Sequence, residues 1–204
     1  MKQSLSLLSF LFVLLPVVVL GMTDKATGIR FADRLKGGMG IFGVGVRKKG
    51  PIKVYSVGLY CSDDLKEELG KLSKSKEQSA ALKALQSGAK SGSSFVLEMS
   101  FKVGAEKMAK AIADSVGARH KGQEVGQLQT LIADGVMATK GAATKGTMLQ
   151  FDCGPSGVSV SLDGKEQGSV SSSALASAFC DVYLDDKCVS PALRSSVLEN
   201  CCAP

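Results

Sequence analysis

Residues 40–61 constrain the fold more than any other stretch of the chain. Ile41-Phe42-Gly43-Val44-Gly45-Val46 carries glycine at every second position from Gly43. In an extended chain those glycines share one face. A strand that bares its backbone on one face is one that another element approaches closely. Arg47-Lys48-Lys49-Gly50-Pro51 then reads as a basic turn closed by Gly and Pro. Ile52 to Cys61 follows, rich in β-branched and aromatic residues. Together the two runs predict a β-hairpin over residues 40–61.

The remaining pattern predicts helices and strands in groups. Thr27–Phe31 reads as a short edge strand. Ser62 or Asp63 caps a helix from about Asp64, with Leu65, Leu69 and Leu72 as its stripe, and a second helix covers Lys76–Gln86. Phe95–Phe101 is a strand with Phe95, Leu97, Met99 and Phe101 on one face. Helices follow at Ala105–Val116, with Met108, Ile112 and Val116, and at Gln123–Met137, with Leu128, Leu131, Ile132 and Val136. Thr147–Phe151, Val158–Leu162 and Gln167–Val170 form a meander turned by Asp163-Gly164. Ser173 caps a helix over Ala174–Tyr183, and Ser190-Pro191 opens a last one through Asn200. Strands grouped in this way, and not alternating with helices, predict an α+β domain: an antiparallel sheet covered by helices.

Gln3 to Thr23 holds no charged residue, and Leu5 to Leu20 is almost wholly apolar behind Lys2. Residues 1–21 therefore read as a secretory signal peptide cleaved near Gly21, or as a signal anchor that spans a bilayer if retained. Either way residues 23–204 form the domain and enter the secretory pathway: ER lumen, a plastid reached through the ER, or the extracellular space. A membrane is a partner only if residues 1–21 stay. The six cysteines, Cys61, Cys153, Cys180, Cys188, Cys201 and Cys202, all follow the leader. In an oxidising compartment they predict disulfides, with bridges among the final helices or from those helices to the sheet; buried free thiols are the alternative.

Composition removes several functions. Hydrophobic residues at 45% and charged residues at 22% exclude a disordered or polytopic chain. A single histidine excludes a multi-histidine metal site, and His120, between Arg119 and Lys121, reads as a polar-loop residue without a catalytic partner. The net charge of +6 is dispersed and lacks an aromatic platform, which argues against nucleic acid and for a small anionic ligand.

Thr27-Gly28-Ile29-Arg30-Phe31, Gly43 to Lys49 and Val54 to Tyr60 resemble the opening of the chalcone isomerase family. Leu162-Asp163-Gly164-Lys165-Glu166 with Gly168, Asp181-Val182-Tyr183-Leu184 and Val189-Ser190-Pro191 resemble its C-terminal half, in order. The resemblance spans residues 27–200. It implies an open-faced β-sandwich with an apolar cleft between sheet and helices, and no cofactor. One branch of the family cyclises chalcones; another, non-catalytic, binds fatty acids in the same cleft.

Of the cyclase's polar positions, the resemblance places the arginine at Arg47 and the others at Tyr55, Lys107, Asp114 and Val182. The groups that polarise the ketone are thus lost. The fatty-acid binders pair the arginine with a tyrosine on the next strand, and Arg47 with Tyr55 fits that pair. A planar guanidinium fork and a phenol suit a carboxylate. The resemblance therefore implies a binder of a fatty acid or similar apolar carboxylate through Arg47 and Tyr55. The alternative is an intramolecular lyase that cyclises a chalcone-like phenol with the same two residues, its ligand flavonoid-like. A third reading is an interaction module whose cleft is filled by side chains. Candidate cleft walls are Phe95, Leu97, Met99, Phe101, Met108, Ile112, Leu128, Leu131 and Ile132.

Overall fold

A computed structural model of the chain describes residues 21–73 and 78–201. The leader expected over residues 1–21 lies outside these, except Gly21. Ten strands and six helices occur among the described residues: β1 Gly21–Thr23, β2 Arg30–Ala32, β3 Gly40–Lys49, β4 Ile52–Cys61, α1 Asp63–Ser73, α2 Gln78–Ser91, β5 Ser93–Met99, β6 Val103–Gly104, α3 Ala105–Gly117, α4 Glu124–Lys140, β7 Ala142–Ala143, β8 Met148–Gly154, β9 Gly157–Leu162, β10 Lys165–Val170, α5 Ser173–Leu184 and α6 Pro191–Cys201. The fold is α+β. Six strands form one antiparallel sheet in the order β10-β9-β8-β5-β4-β3, with helices on one face.

The hairpin expected over residues 40–61 is β3 and β4. Its inner face alternates as sheet geometry demands. Tyr55, Val57, Leu59 and Cys61 of β4 continue across the sheet into Phe95, Leu97 and Met99 of β5 and Leu149, Phe151 and Cys153 of β8, all buried. Met108, Ile112 and Val116 of α3, Leu128, Ile132 and Val136 of α4 and Leu175, Phe179 and Tyr183 of α5 close over them. The helical stripes read from the sequence are thus the core. Phe95 stacks on Tyr183 at 4.9 Å between ring centres, and Phe179 meets Phe151 at 4.6 Å.

The alternating glycines work as the pattern implied. Gly43 and Gly45 face α6, and a methyl group on Gly43 would sit 2.7 Å from the Val197 nitrogen. α6 also covers the edge of the sheet: Ser196 Oγ accepts from the Val44 amide at 3.1 Å, and Ser190 Oγ donates to the Val46 carbonyl at 3.0 Å. Exposed strand edges need such cover.

Some expectations shift. Thr27–Phe31 is not an edge strand of the main sheet; β2 pairs with β1 in a separate two-stranded strap. The strap lies on the outer face over Tyr60 and Val96, held by the buried Asp24, which accepts from Ser56 Oγ at 2.6 Å. Phe101 falls beyond the end of β5 and is 49% exposed, so it does not share the buried face of Phe95, Leu97 and Met99. Ser172, not Ser173, caps α5, accepting from the Leu175 amide. Ser62 Oγ accepts from Leu65 at the start of α1.

The expected bridges from the sheet to the final helices do not form at the described positions: Cys153, Cys180 and Cys188 are free thiols. Cys153 and Cys180 face each other in the core as small apolar groups. Burial pushes the Cys153 thiol well up. The side chain of Cys201, and Cys202 altogether, lie outside the described residues.

Candidate functional site

Between the turn end of the hairpin and α3 lies a cleft of about 360 Å³, at the lower end of the range for ligand pockets. Its walls come from three places. The hairpin gives Arg47, Lys48, Lys49, Ile52, Val54 and Tyr55; the segment after β5 gives Phe101, Lys102, Val103 and Gly104; α3 gives Lys107, Met108, Ala111 and Ile112. The floor is apolar and the charged residues of the lining are all basic.

Two features of the hairpin aim Arg47 and Tyr55 into this space. They are direct partners in the register, Arg47 opposite Tyr55. Immediately beyond, Lys48 pairs with Lys53, so β4 carries one extra residue at Val54. Such a bulge re-aims side chains, and both Val54 and Tyr55 border the cleft. The turn tip is Gly50-Pro51, with Gly50 in the left-handed conformation at φ 59° that glycine tolerates best. Arg47 therefore stands three residues below the tip, half-buried, and not in solvent at the turn.

The Arg47 guanidinium carbon lies 6.0 Å from the centre of the Tyr55 ring, at the limit of a cation–π contact. Arg47 also donates to Ser115 Oγ at 3.5 Å, a long bond. Tyr55 is 3% exposed, and its hydroxyl shares a 2.9 Å hydrogen bond with the hydroxyl of Tyr183. Burial pushes the Tyr55 phenol up, against the positive charge of Arg47. Burial, and then the neighbouring Tyr55, pushes Tyr183 well above the usual phenol range. Both phenols are neutral at physiological pH, each able to donate or accept. The site thus offers a cation with free donors, a neutral phenol behind it and an apolar trough in front.

The other expected positions divide. Lys107 lines the cleft on an exposed turn of α3. Asp114 is outside it, paired with Lys110 at 2.9 Å on the helix surface. Val182 is plain core. In each of the last two cases the polar side chain that reaches Arg47 or Tyr55 is one residue further on: Ser115 and Tyr183. In the sequence Tyr183 stands only at the end of a helix, within the Asp181-Val182-Tyr183-Leu184 motif of the resemblance. Of the candidate walls, Phe101, Met108 and Ile112 line the cleft; Phe95, Leu97, Met99, Leu128, Leu131 and Ile132 do not. His120 lies in the connection between α3 and α4, half-buried, 3.3 Å from a Glu124 oxygen and outside the cleft lining. No cluster of metal-ligating side chains occurs among the described residues.

No curated protein sequence matches. Among solved structures, the fold is similar to the crystal structure of the Arabidopsis thaliana fatty-acid binding protein AtFAP1, with a TM-score of 0.72 and 21% identity over 90% of this chain and 98% of that one. At that identity the likeness speaks for the fold alone, and it bears out the α+β architecture of a sheet covered by helices. The model of the family described as chalcone isomerase-like matches residues 28–199. With nearly all of the described chain inside that match, the protein belongs to the chalcone isomerase-like family.

Proposed function

We propose that the protein binds a fatty acid or a similar apolar carboxylate in the cleft and does not convert it. The observation that carries this reading is the cross-strand pair of Arg47 and Tyr55 at the head of a cleft whose floor is otherwise apolar. A carboxylate there meets the guanidinium fork and, beside it, a phenol held neutral by burial. The alkyl chain then follows Val54, Met108 and Ile112; methionine adapts its shape to a flexible chain. The solved structure of similar fold comes from a protein named for fatty-acid binding, which supports the ligand class. On the strength of the apolar leader, we place this binding in the secretory pathway.

Calorimetric titration of the purified protein with palmitate, and with the uncharged alcohol of the same length, tests the reading. Palmitate is expected to bind and the alcohol to bind more weakly. Arg47→Ala is expected to weaken palmitate binding by about 1.5–3 kcal/mol, the range for a hydrogen bond to a charged group, and Tyr55→Phe by about 0.5–1.5 kcal/mol. Equal affinity of wild type and Arg47→Ala overturns the assignment.

The hydroxyl pair of Tyr55 and Tyr183 favours one second reading, since Tyr183 can donate to Tyr55 and leave the Tyr55 O–H to donate to a ketone in the cleft. It is the chalcone-like cyclisation, with Arg47 on the phenolate. In the same preparation a hydroxychalcone is expected to lose its visible absorbance at the spontaneous rate. Faster loss, abolished in Arg47→Ala, replaces the binder with an isomerase.

A further inference from the structure

We propose that the mouth of the cleft is a docking surface for anionic lipid bilayers. Only four large apolar side chains are markedly exposed among the described residues, and two of them, Ile52 at 42% and Phe101 at 49%, stand together on this rim. Their positions are fixed. The Val54 carbonyl accepts from both the Ser100 and Phe101 amides, at 3.0 and 3.2 Å, and Ser100 Oγ donates to the Lys53 carbonyl at 2.7 Å. These bonds hold the segment that carries Phe101 against the strand that begins at Ile52. Folding therefore keeps two apolar tips exposed to water on one rim, although leaving each there costs free energy that burial would recover.

The charge around the tips is of one sign. Lys48, Lys49, Lys102 and Lys107 share the lining with them, and no carboxylate does. The acidic groups of α3 lie elsewhere: Asp114 is taken up by Lys110, and Glu106 is not part of the lining. Apolar tips set among lysines suit the boundary between headgroups and acyl chains. The tips enter the apolar layer while the lysine stems lie along it and the ammonium groups meet phosphates and carboxylates. A protein partner would require a broader apolar face than one side chain at the start of β4 and one on the segment after β5. No described helix is long and apolar enough to cross a membrane; the proposed contact lies at the headgroup boundary. Docking goes beyond the ligand reading and does not depend on it. If a fatty acid does occupy the cleft, docking would open its apolar trough directly onto the acyl layer.

The chain has no tryptophan, so Phe101→Trp supplies a single reporter at the tip. Ligand-free protein carrying it is titrated with phosphatidylcholine vesicles, with or without phosphatidylserine. A blue shift and co-flotation are expected with the anionic vesicles and not with phosphatidylcholine alone. Adding Lys102→Glu and Lys107→Glu is expected to weaken partitioning by more than about tenfold, since each lysine near an anionic surface is worth roughly fivefold. Reversing Lys36 and Lys66 instead, at the opposite end of the hairpin, gives the same net charge and is expected to leave it unchanged. Circular dichroism confirms that each variant is folded. No shift with either vesicle, equal binding to neutral vesicles, or equal loss in the two charge-reversal variants overturns the proposal. Because no fatty acid is present, this outcome is independent of the palmitate titration.

Discussion

Gly43, Gly45 and Arg47 occupy alternate positions on the inner face of β3, yet the molecule treats the two halves of that run differently. Over the glycines α6 comes down until its backbone touches the strand, and Leu193 and Val197 are fully buried against it. Beside Arg47, α3 comes only as near as a long bond from the guanidinium to Ser115 Oγ, and the cleft remains. The difference lies in side-chain volume and charge. A bare backbone lets a helix approach and bury its apolar stripe. An arginine holds the helix layer off, because burying an unpaired guanidinium is costly. Closure and opening are therefore written into one strand, two residues apart.

The largest expected effect would make both ends fail together. All three tyrosines of the chain have raised phenol pKa values: Tyr55 and Tyr183 under the open end, and Tyr60 beneath the strap, where burial and then Asp33 push it up to about 12. A phenol whose folded pKa lies above its unfolded value of about 10 contributes stability that is fully present below pH 10 and is lost as pH rises through the folded value. Phenolate absorbance and circular dichroism are thus expected to change together, above pH 10. If Tyr55 and Tyr183 ionise near pH 10 while the fold persists, water reaches below Arg47 and the open end is deeper than the cleft described above.

Next in size is Gly45→Ala. The added methyl group would sit 2.6 Å from the Leu193 α-carbon, with backbone on both sides of it. Backbone cannot rotate away as a side chain can, so α6 must move. Overpacking of this kind is expected to cost about 3 kcal/mol, the upper part of its usual range, even though alanine is otherwise the better strand residue. Urea unfolding measures it. A loss below about 0.5 kcal/mol would mean that α6 rides loosely and that the closed end is not closed by the glycines.

Much of this was legible beforehand because it depends on local pattern. Alternating glycine gave a close approach, Asp163-Gly164 gave a hairpin turn at β9 and β10, and the periodic leucines gave the helical cover. What was not legible depends on where elements end and on which neighbour they meet. Phe101 continued the alternation of β5 in sequence, but the strand stops at Met99 and its ladder neighbour β4 bulges at Val54. Periodicity carries no signal for that. Tyr183 and Ser115 reach the site because of how α5 and α3 sit on the sheet, and a helical turn advances by about 100° per residue. A neighbouring position therefore lies on a different face, as Val182 and Asp114 do beside Tyr183 and Ser115.

The smallest expected change in stability sharpens the comparison most. Ala111 lines the cleft from α3 and is exposed. Ala111→Leu adds more volume than the methyl group at Gly45, but adds it to the open end. Leucine is nearly as good a helix former as alanine, and exposed substitutions away from packed contacts usually stay within about 0.5 kcal/mol. Urea unfolding is therefore expected to be nearly unchanged, while palmitate binding falls sharply because the trough in front of Arg47 is filled. A stability loss comparable to that of Gly45→Ala would show that the cleft is a packed interface in solution and that both halves of the strand are closed. Unchanged stability with unchanged palmitate affinity would leave the cleft open but move the ligand out of it.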